Sequence, residues 1–134
     1  MAMKLSCCRR RRKQVEREIL SENNVEAMRA DVLKVGHHGS KNSTTPEFLG
    51  AVRPRFGIIS AGEDNLFGHP SPELLERLEN AGVGVFRTDR DGAVHVLTDG
   101  KRLEITCFVA CPAANAAESV QAQTPDHKQD QDEK

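Results

Sequence analysis

Asp31-Val32-Leu33-Lys34-Val35-Gly36-His37-His38-Gly39-Ser40 is the stretch on which the reading of this chain turns. Residues 31–35 are short, rich in β-branched side chains and run straight into a glycine, the pattern of a buried strand followed by a tight loop. Beyond the loop, Thr45 can cap a helix whose first position is Pro46 and whose first turn carries Glu47. Residues 46–52 should therefore be helical, with Phe48, Leu49 and Val52 turned to the core. Arg53-Pro54 stops that helix, and residues 56–60 form a second short apolar run, read as a strand beside the first. A strand, helix, strand unit with the usual right-handed crossover makes its strands parallel and brings both carboxyl ends to one edge of the sheet. The fold class is α/β.

The flanks extend this unit. Residues 13–23 place Val15, Ile19 and Leu20 on one face between charged neighbours, the 3.6-residue period of an amphipathic helix. After the second strand, Ser71 as N-cap and Pro72 at the first position open a helix that Gly82 closes, with Leu74, Leu75 and Leu78 facing inward. Residues 83–88, 93–98 and 102–109 then read as strands. Asp91-Gly92 and Asp99-Gly100 separate them, and both dipeptides suit hairpin turns that need positive φ.

With 134 residues the chain has room for one domain with a single modest core. We divide it into a basic start over 1–12, expected to be disordered, a domain over 13–109, and a disordered tail over 110–134. The net charge of −1 hides opposed ends: Lys4, Arg9, Arg10, Arg11, Arg12 and Lys13 near the start, and Glu118, Asp126, Asp130, Asp132 and Glu133 near the end. Such ends are usually solvated, though a basic arm can also attract phosphate through counterion release, a nucleic-acid-binding alternative. The four cysteines, Cys7, Cys8, Cys107 and Cys111, form no Cys-x-x-Cys pair and read as ordinary thiols. No apolar run approaches the roughly 20 residues of a membrane-spanning helix, so the chain as written is expected to be soluble and cytoplasmic.

Two loops gather polar residues that packing does not explain. One is Gly36-His37-His38-Gly39-Ser40; the other is Gly62-Glu63-Asp64-Asn65-Leu66-Phe67-Gly68-His69-Pro70. Both emerge at the carboxyl edge of the parallel sheet, where open α/β folds build ligand sites. Imidazole is the commonest nitrogen ligand of zinc, and flanking glycines let the backbone approach a metal or phosphate closely. His37, His38 and His69 should therefore converge. Gly39 and Ser40 are phosphate-binding candidates, and Asp64 and Asn65 accompany His69 in its loop. A solitary His is more often solvated than a ligand, so His95 and His127 receive no role.

The histidine loop with its strand, then Ile59-Ser60-Ala61-Gly62-Glu63-Asp64-Asn65 and Gly68-His69-Pro70, then Arg87-Thr88-Asp89 and Asp91-Gly92, together resemble the metallo-β-lactamase-like domain of ComEC-type competence proteins over about residues 14–108. The resemblance implies part of an αββα sandwich hydrolase, a nuclease with a zinc or manganese site acting on phosphodiester bonds of single-stranded DNA; intact members are inner-membrane proteins. By that likeness His37 and His38 are catalytic candidates, and His38 and His69 metal ligands. The family's His-x-His/Asp-x-Asp-His motif, which supplies most ligands, does not occur here, nor does the Gly-Asp that precedes its first helix. The chain is therefore expected to be truncated and inactive alone, or to pair with a separately encoded N-terminal half. Loss of that half should leave an apolar sheet face exposed.

Overall fold

The computed structural model describes residues 12–22 and 24–109, so the expected disordered start and acidic tail lie outside the described residues apart from Arg12. The elements run α1 (Arg12–Glu22), a 3-10 turn (Val25–Met28), β1 (Val32–Lys34), a second 3-10 turn (His37–Gly39), α2 (Pro46–Val52), β2 (Phe56–Ile59), α3 (Pro72–Asn80), β3 (Gly84–Arg87), a helical turn α4 (Thr88–Asp91), β4 (Val94–Thr98) and β5 (Leu103–Cys107). The architecture is mixed α/β with two small sheets.

The strand, helix, strand unit forms as expected. β1 lies parallel to β2, with Leu33 opposite Gly57, and β2 lies parallel to β3, with Ile58 opposite Phe86. The helix starts follow from their caps. Thr45 accepts from the Phe48 amide and Ser71 from the Leu74 amide, each followed by a proline whose missing N–H would have had no helical partner. Arg53 ends α2 in the left-handed conformation, a role usually given to glycine.

Alternation along the strands sends side chains to two cores. Leu33, Val35, Ile59 and Val85 meet Phe48, Leu49 and Val52 of α2 and Leu74 and Leu78 of α3. On the other face, Val32, Phe56, Ile58 and Phe86 meet Val94, Val96, Leu103 and Ile105 from the β4–β5 hairpin. The order of layers is helices, parallel sheet, hairpin. This corrects the expectation of an exposed sheet face, because Phe86 is only 1% exposed beneath the hairpin.

The turns divide. Asp99-Gly100 does join antiparallel β4 and β5, with Gly100 at φ 88° and the Asp99 carboxylate accepting from the amides of Lys101 and Arg102. Asp91-Gly92 is not a hairpin turn. β3 pairs with β2 alone, and residues 88–91 form α4 instead. The reason is the Asp91 side chain, buried at 1% exposure, which accepts from the Arg87 amide at 2.8 Å and from Arg90 Nε at 2.7 Å. Those bonds fold the chain back on the end of β3 before Gly92, at φ 71°, releases it toward β4. The ordinary-thiol reading is also corrected for Cys107, which is disulfide-bonded; the other cysteines lie outside the described residues.

Two outcomes follow for stability. Phe86→Ala removes a fully buried ring between the layers and should cost about 3–5 kcal/mol, whereas Leu97→Ala, at a half-exposed position, should change stability by no more than about 0.5 kcal/mol. Urea unfolding of both variants checks this, and equal losses would mean that the hairpin does not pack on the sheet. Burial pushes the Asp91 carboxyl up, but hydrogen bonds from Arg90 and the Arg87 amide outweigh it, so the group ionises below its ordinary range. A lowered folded-state value contributes stability that is present above the unfolded value of about 4 and is lost as pH falls through the folded one. Stability measured from pH 6 down to pH 2 should therefore fall less steeply below about pH 4 in Asp91→Asn than in the parent.

Candidate functional site

The site lies where the chain leaves β1 and β2. After Gly36 the backbone enters the left-handed region at His37 (φ 50°), His38 (φ 53°) and Gly39 (φ 82°) in succession. Such a conformation costs a non-glycine residue about 1–3 kcal/mol and persists only where its surroundings over-determine it. Here they do. The Gly39 amide donates to Gly36 O and the Ser40 amide to His37 O, while the buried Ser43 hydroxyl reaches Gly36 O at 2.9 Å and Ser40 O at 2.8 Å.

More distant elements hold the far side of the same loop. The carboxylate of Glu16 on α1 accepts from the amides of Thr44 at 2.6 Å and Thr45 at 2.8 Å. From α3, Arg77 Nη1 donates to the carbonyls of Ser43 and Thr44. The loop is thus clamped from both sides by charge-assisted bonds, the stronger kind.

The loop after β2 is built around Asn65. Its amide Nδ2 donates to His69 O at 2.6 Å and its Oδ1 accepts from the His69 amide at 2.9 Å, so one side chain closes the turn on both backbone groups of His69. The peptide bond between His69 and Pro70 is cis. Pro70 then lies against Gly39, where an added Cβ would come within 2.5 Å of the proline Cβ, and the Ser71 amide donates to Gly39 O at 2.8 Å. Behind these loops the Thr88 hydroxyl donates to Ala61 O and accepts from the Ala61 amide, tying the end of β3 to the chain leaving β2.

The imidazoles converge as the topology requires. The rings of His37 and His69 meet edge-on with centroids 5.4 Å apart, and those of His37 and His38 are 6.3 Å apart. His37 is the ring common to both pairs. His38 Nδ1 lies 2.6 Å from Ser60 O, and because a carbonyl only accepts, Nδ1 must carry the proton. In the neutral ring Nε2 is then left with its lone pair, the arrangement typical of a metal-ligating or proton-accepting histidine. His69 Nδ1 is buried without a hydrogen-bond partner among the described residues. Phe67, 82% exposed, stacks on the His69 ring at 6.1 Å.

The remaining candidates take varied places. Asn65 shapes its loop as described, whereas neighbouring Asp64 is exposed. Gly39 and Ser40 are buried, and the Ser40 hydroxyl accepts from the Asn42 amide at 3.3 Å. His95 is exposed on β4 opposite Thr106, in the other sheet, and His127 lies outside the described residues. Sequence reasoning missed Ser60, which acts through its carbonyl and so carries no side-chain signal. It also missed the clamps of Glu16 and Arg77, to which it gave no role, and Thr88, although that residue stands within the string Arg87-Thr88-Asp89. Among the described residues no three His, Cys, Asp or Glu side chains gather into a group able to hold a metal ion.

This chain is similar to ComE operon protein 3 of Bacillus subtilis, with 44% identity over 82 residues, 61% of this chain and 10% of that protein. It is similar to Recombination protein 2 of Haemophilus influenzae, with 45% identity over 75 residues, 56% of this chain and 10% of the relative. Competence protein ComA of Neisseria gonorrhoeae is 38% identical over 65 residues, 48% of this chain and 9% of its own length. Its homologues are therefore competence and recombination proteins, and the chain spans about a tenth of the length of the curated relatives it matches. No family model matches the chain, and no solved structure does. None of the described helices is long and apolar enough to cross a membrane.

The close approach of Gly39 and Pro70 sets a test of this geometry. Gly39→Ala combines a left-handed backbone with a Cβ that has no room, and should cost at least about 1–3 kcal/mol. Gly62→Ala, where an added Cβ meets nothing closer than 4.0 Å, should be nearly neutral. Thermal unfolding of the pair checks this, and a neutral Gly39→Ala would mean that the two loops are not pinned together.

Proposed function

We propose that this chain carries the histidine loops of a metallo-β-lactamase-like phosphodiesterase of the ComEC type, acting on single-stranded DNA during uptake. The observation that carries the reading is the meeting of His37 and His69 at the carboxyl edge of the sheet, with His69 Nδ1 buried and unpartnered among the described residues. A buried nitrogen without a partner is costly, and a bound ligand or ion would relieve it. The names of the relatives, competence and recombination proteins, support DNA as the substrate class. The succession of helices, parallel sheet and hairpin supports a partial αββα sandwich.

In this reading His38 and His69 are ligands for zinc or manganese, His37 and His38 serve the reaction, and Gly39 and Ser40, buried with their amides bonded to Gly36 O and His37 O, shape the loop that meets the phosphate. A catalytic zinc takes about three protein ligands, and the described residues bring no such group together. The described residues therefore do not make a complete metal centre. What the chain supplies is a preorganised edge. His38 is oriented by Ser60 O with Nε2 available, and His69 is held by Asn65.

That shortfall favours a second form of the same reading, in which the chain is a half-domain completed by an N-terminal half bearing the His- and Asp-rich motif. Calorimetry with zinc or manganese, combined with cleavage of single-stranded DNA, tests both. Binding should weaken by more than about 10-fold in His38→Ala and His69→Ala, and cleavage should appear only when the complementary segment is supplied. Cleavage by the chain alone would remove the half-domain form. Equal metal affinity in the parent and both variants would remove the metal-site reading altogether.

A further inference from the structure

We infer that the face formed by α1, α2 and α3 carries a separate binding groove for a nucleic-acid strand, read through its phosphates. Two adjoining cavities lie along this face, one of about 540 Å³ between α2 and α3 and one of about 280 Å³ between α1 and the start of α2. They share Pro46 and Arg77 and so form one continuous depression. Arg53 and Arg77 line the larger cavity; Lys13, Arg17, Lys41 and Arg77 line the smaller. Among the described residues Glu47 is the only acid lining either, which leaves five cations against one carboxylate.

These cations are not engaged by carboxylates of the described residues. The ion pairs there are Arg29–Glu26, Arg87–Asp89 and Arg90–Asp91, and none involves the groove. Glu16 on α1 gives both oxygens to the Thr44 and Thr45 amides. Arg77 uses both Nη1 hydrogens and one Nη2 hydrogen on the carbonyls of Ser43, Thr44 and Lys41, which keeps Nε and the second Nη2 hydrogen for a ligand. Unneutralised cations lining a concave, partly apolar depression focus positive potential along it.

The occupant that fits is a polyanion. The cations come from α1, the histidine loop, the end of α2 and α3, so they follow a path instead of converging on one point. Placed along a groove, they match the repeated phosphates of a single strand better than one compact anion. A flat lipid surface fits a concavity poorly. Among the described residues no aromatic side chain lines either cavity, so the strand is held by phosphate and sugar and binding is sequence-independent. Lys41 follows directly on Ser40, so the groove starts where the histidine loop ends. The inference rests on the proposed function only for the choice of DNA as the ligand.

The full chain and labelled single-stranded DNA of mixed sequence, with chelator present and no metal, provide a test that turnover cannot confuse. Arg17→Glu/Lys41→Glu should bind about 10-fold or more weakly, with the salt dependence of log K reduced by about 0.7 for each phosphate no longer neutralised. Leu97→Ala, exposed on the hairpin and lining neither cavity, should bind like the parent, and with no metal present failure of the metal-site reading would leave this result standing. If the double variant melts early, Arg17→Gln/Lys41→Gln replaces it, with a smaller loss expected in the same direction. Unchanged DNA affinity in both double variants would overturn the inference, as would undetectable binding by the parent. Loss of all affinity on neutralising Arg9, Arg10, Arg11 and Arg12, with no effect of the groove substitutions, would do the same. So would tighter, Arg17- and Lys41-dependent binding to phosphatidylcholine vesicles containing phosphatidylserine.

Discussion

The bond from the Ser71 amide to Gly39 O, at 2.8 Å, is the constraint on which the site depends. It joins the loop after β1 to the residue that caps α3, and it forms only because Gly39 has no Cβ to strike Pro70. One peptide group thus fixes the distance between two loops that are otherwise about 30 residues apart in sequence. His37 sits two residues before Gly39, and His69 two residues before Ser71. Once that bond is made, the backbone brings the two histidines to the same edge of the sheet, where their rings meet. The clamps by Glu16 and Arg77 secure the same loop from behind, so its left-handed histidines are held from α1 and α3 as well as from the sheet.

Much of this was legible in the sequence because the signals were local. Thr45-Pro46 and Ser71-Pro72 announce helix starts through chemistry confined to a few residues, and α2 begins and α3 is capped where those pairs predict. The parallel pairing of β1 and β2 follows from one apolar run, one helix and a second run, and it alone places both histidine loops at the same edge. What the sequence hid is what tertiary packing and specific hydrogen bonds decide. Asp91-Gly92 carries the composition of a hairpin turn, but the Asp91 carboxylate bonds to the Arg87 amide and to Arg90, and a helical turn forms in its place. The hairpin over Val32 and Phe86 was hidden for a related reason: alternation shows that a strand has an apolar face, not which face of which sheet it will cover.

The histidines divide along the same line. That His37, His38 and His69 would converge was readable from topology, but their individual states were not. Ser60 contributes only a carbonyl, which every residue has, yet it fixes the proton of His38 on Nδ1. Asn65 reads in the sequence as a loop residue accompanying His69; its amide engages both backbone groups of that histidine, so its part in the site is to position another residue.

If the helical face binds phosphate and the sheet-edge histidines bind a metal, as proposed, their separation has a physical reason. Phosphate attraction needs exposed, unneutralised cations, which would repel a bound metal ion if they stood among its ligands. Imidazole ligands need to be neutral and held in fixed orientations, which exposed flexible side chains cannot provide. The loop over 36–45 reconciles these demands by facing two ways: its first residues present rings to the sheet edge, and Lys41 faces the groove. Arg77 serves both ends, since the hydrogen bonds that make it part of the groove also hold the carbonyls of Ser43 and Thr44. A phosphate seated against Arg77 would therefore bear on the residue that stiffens the histidine loop, coupling strand binding to the precision of the site through a single guanidinium.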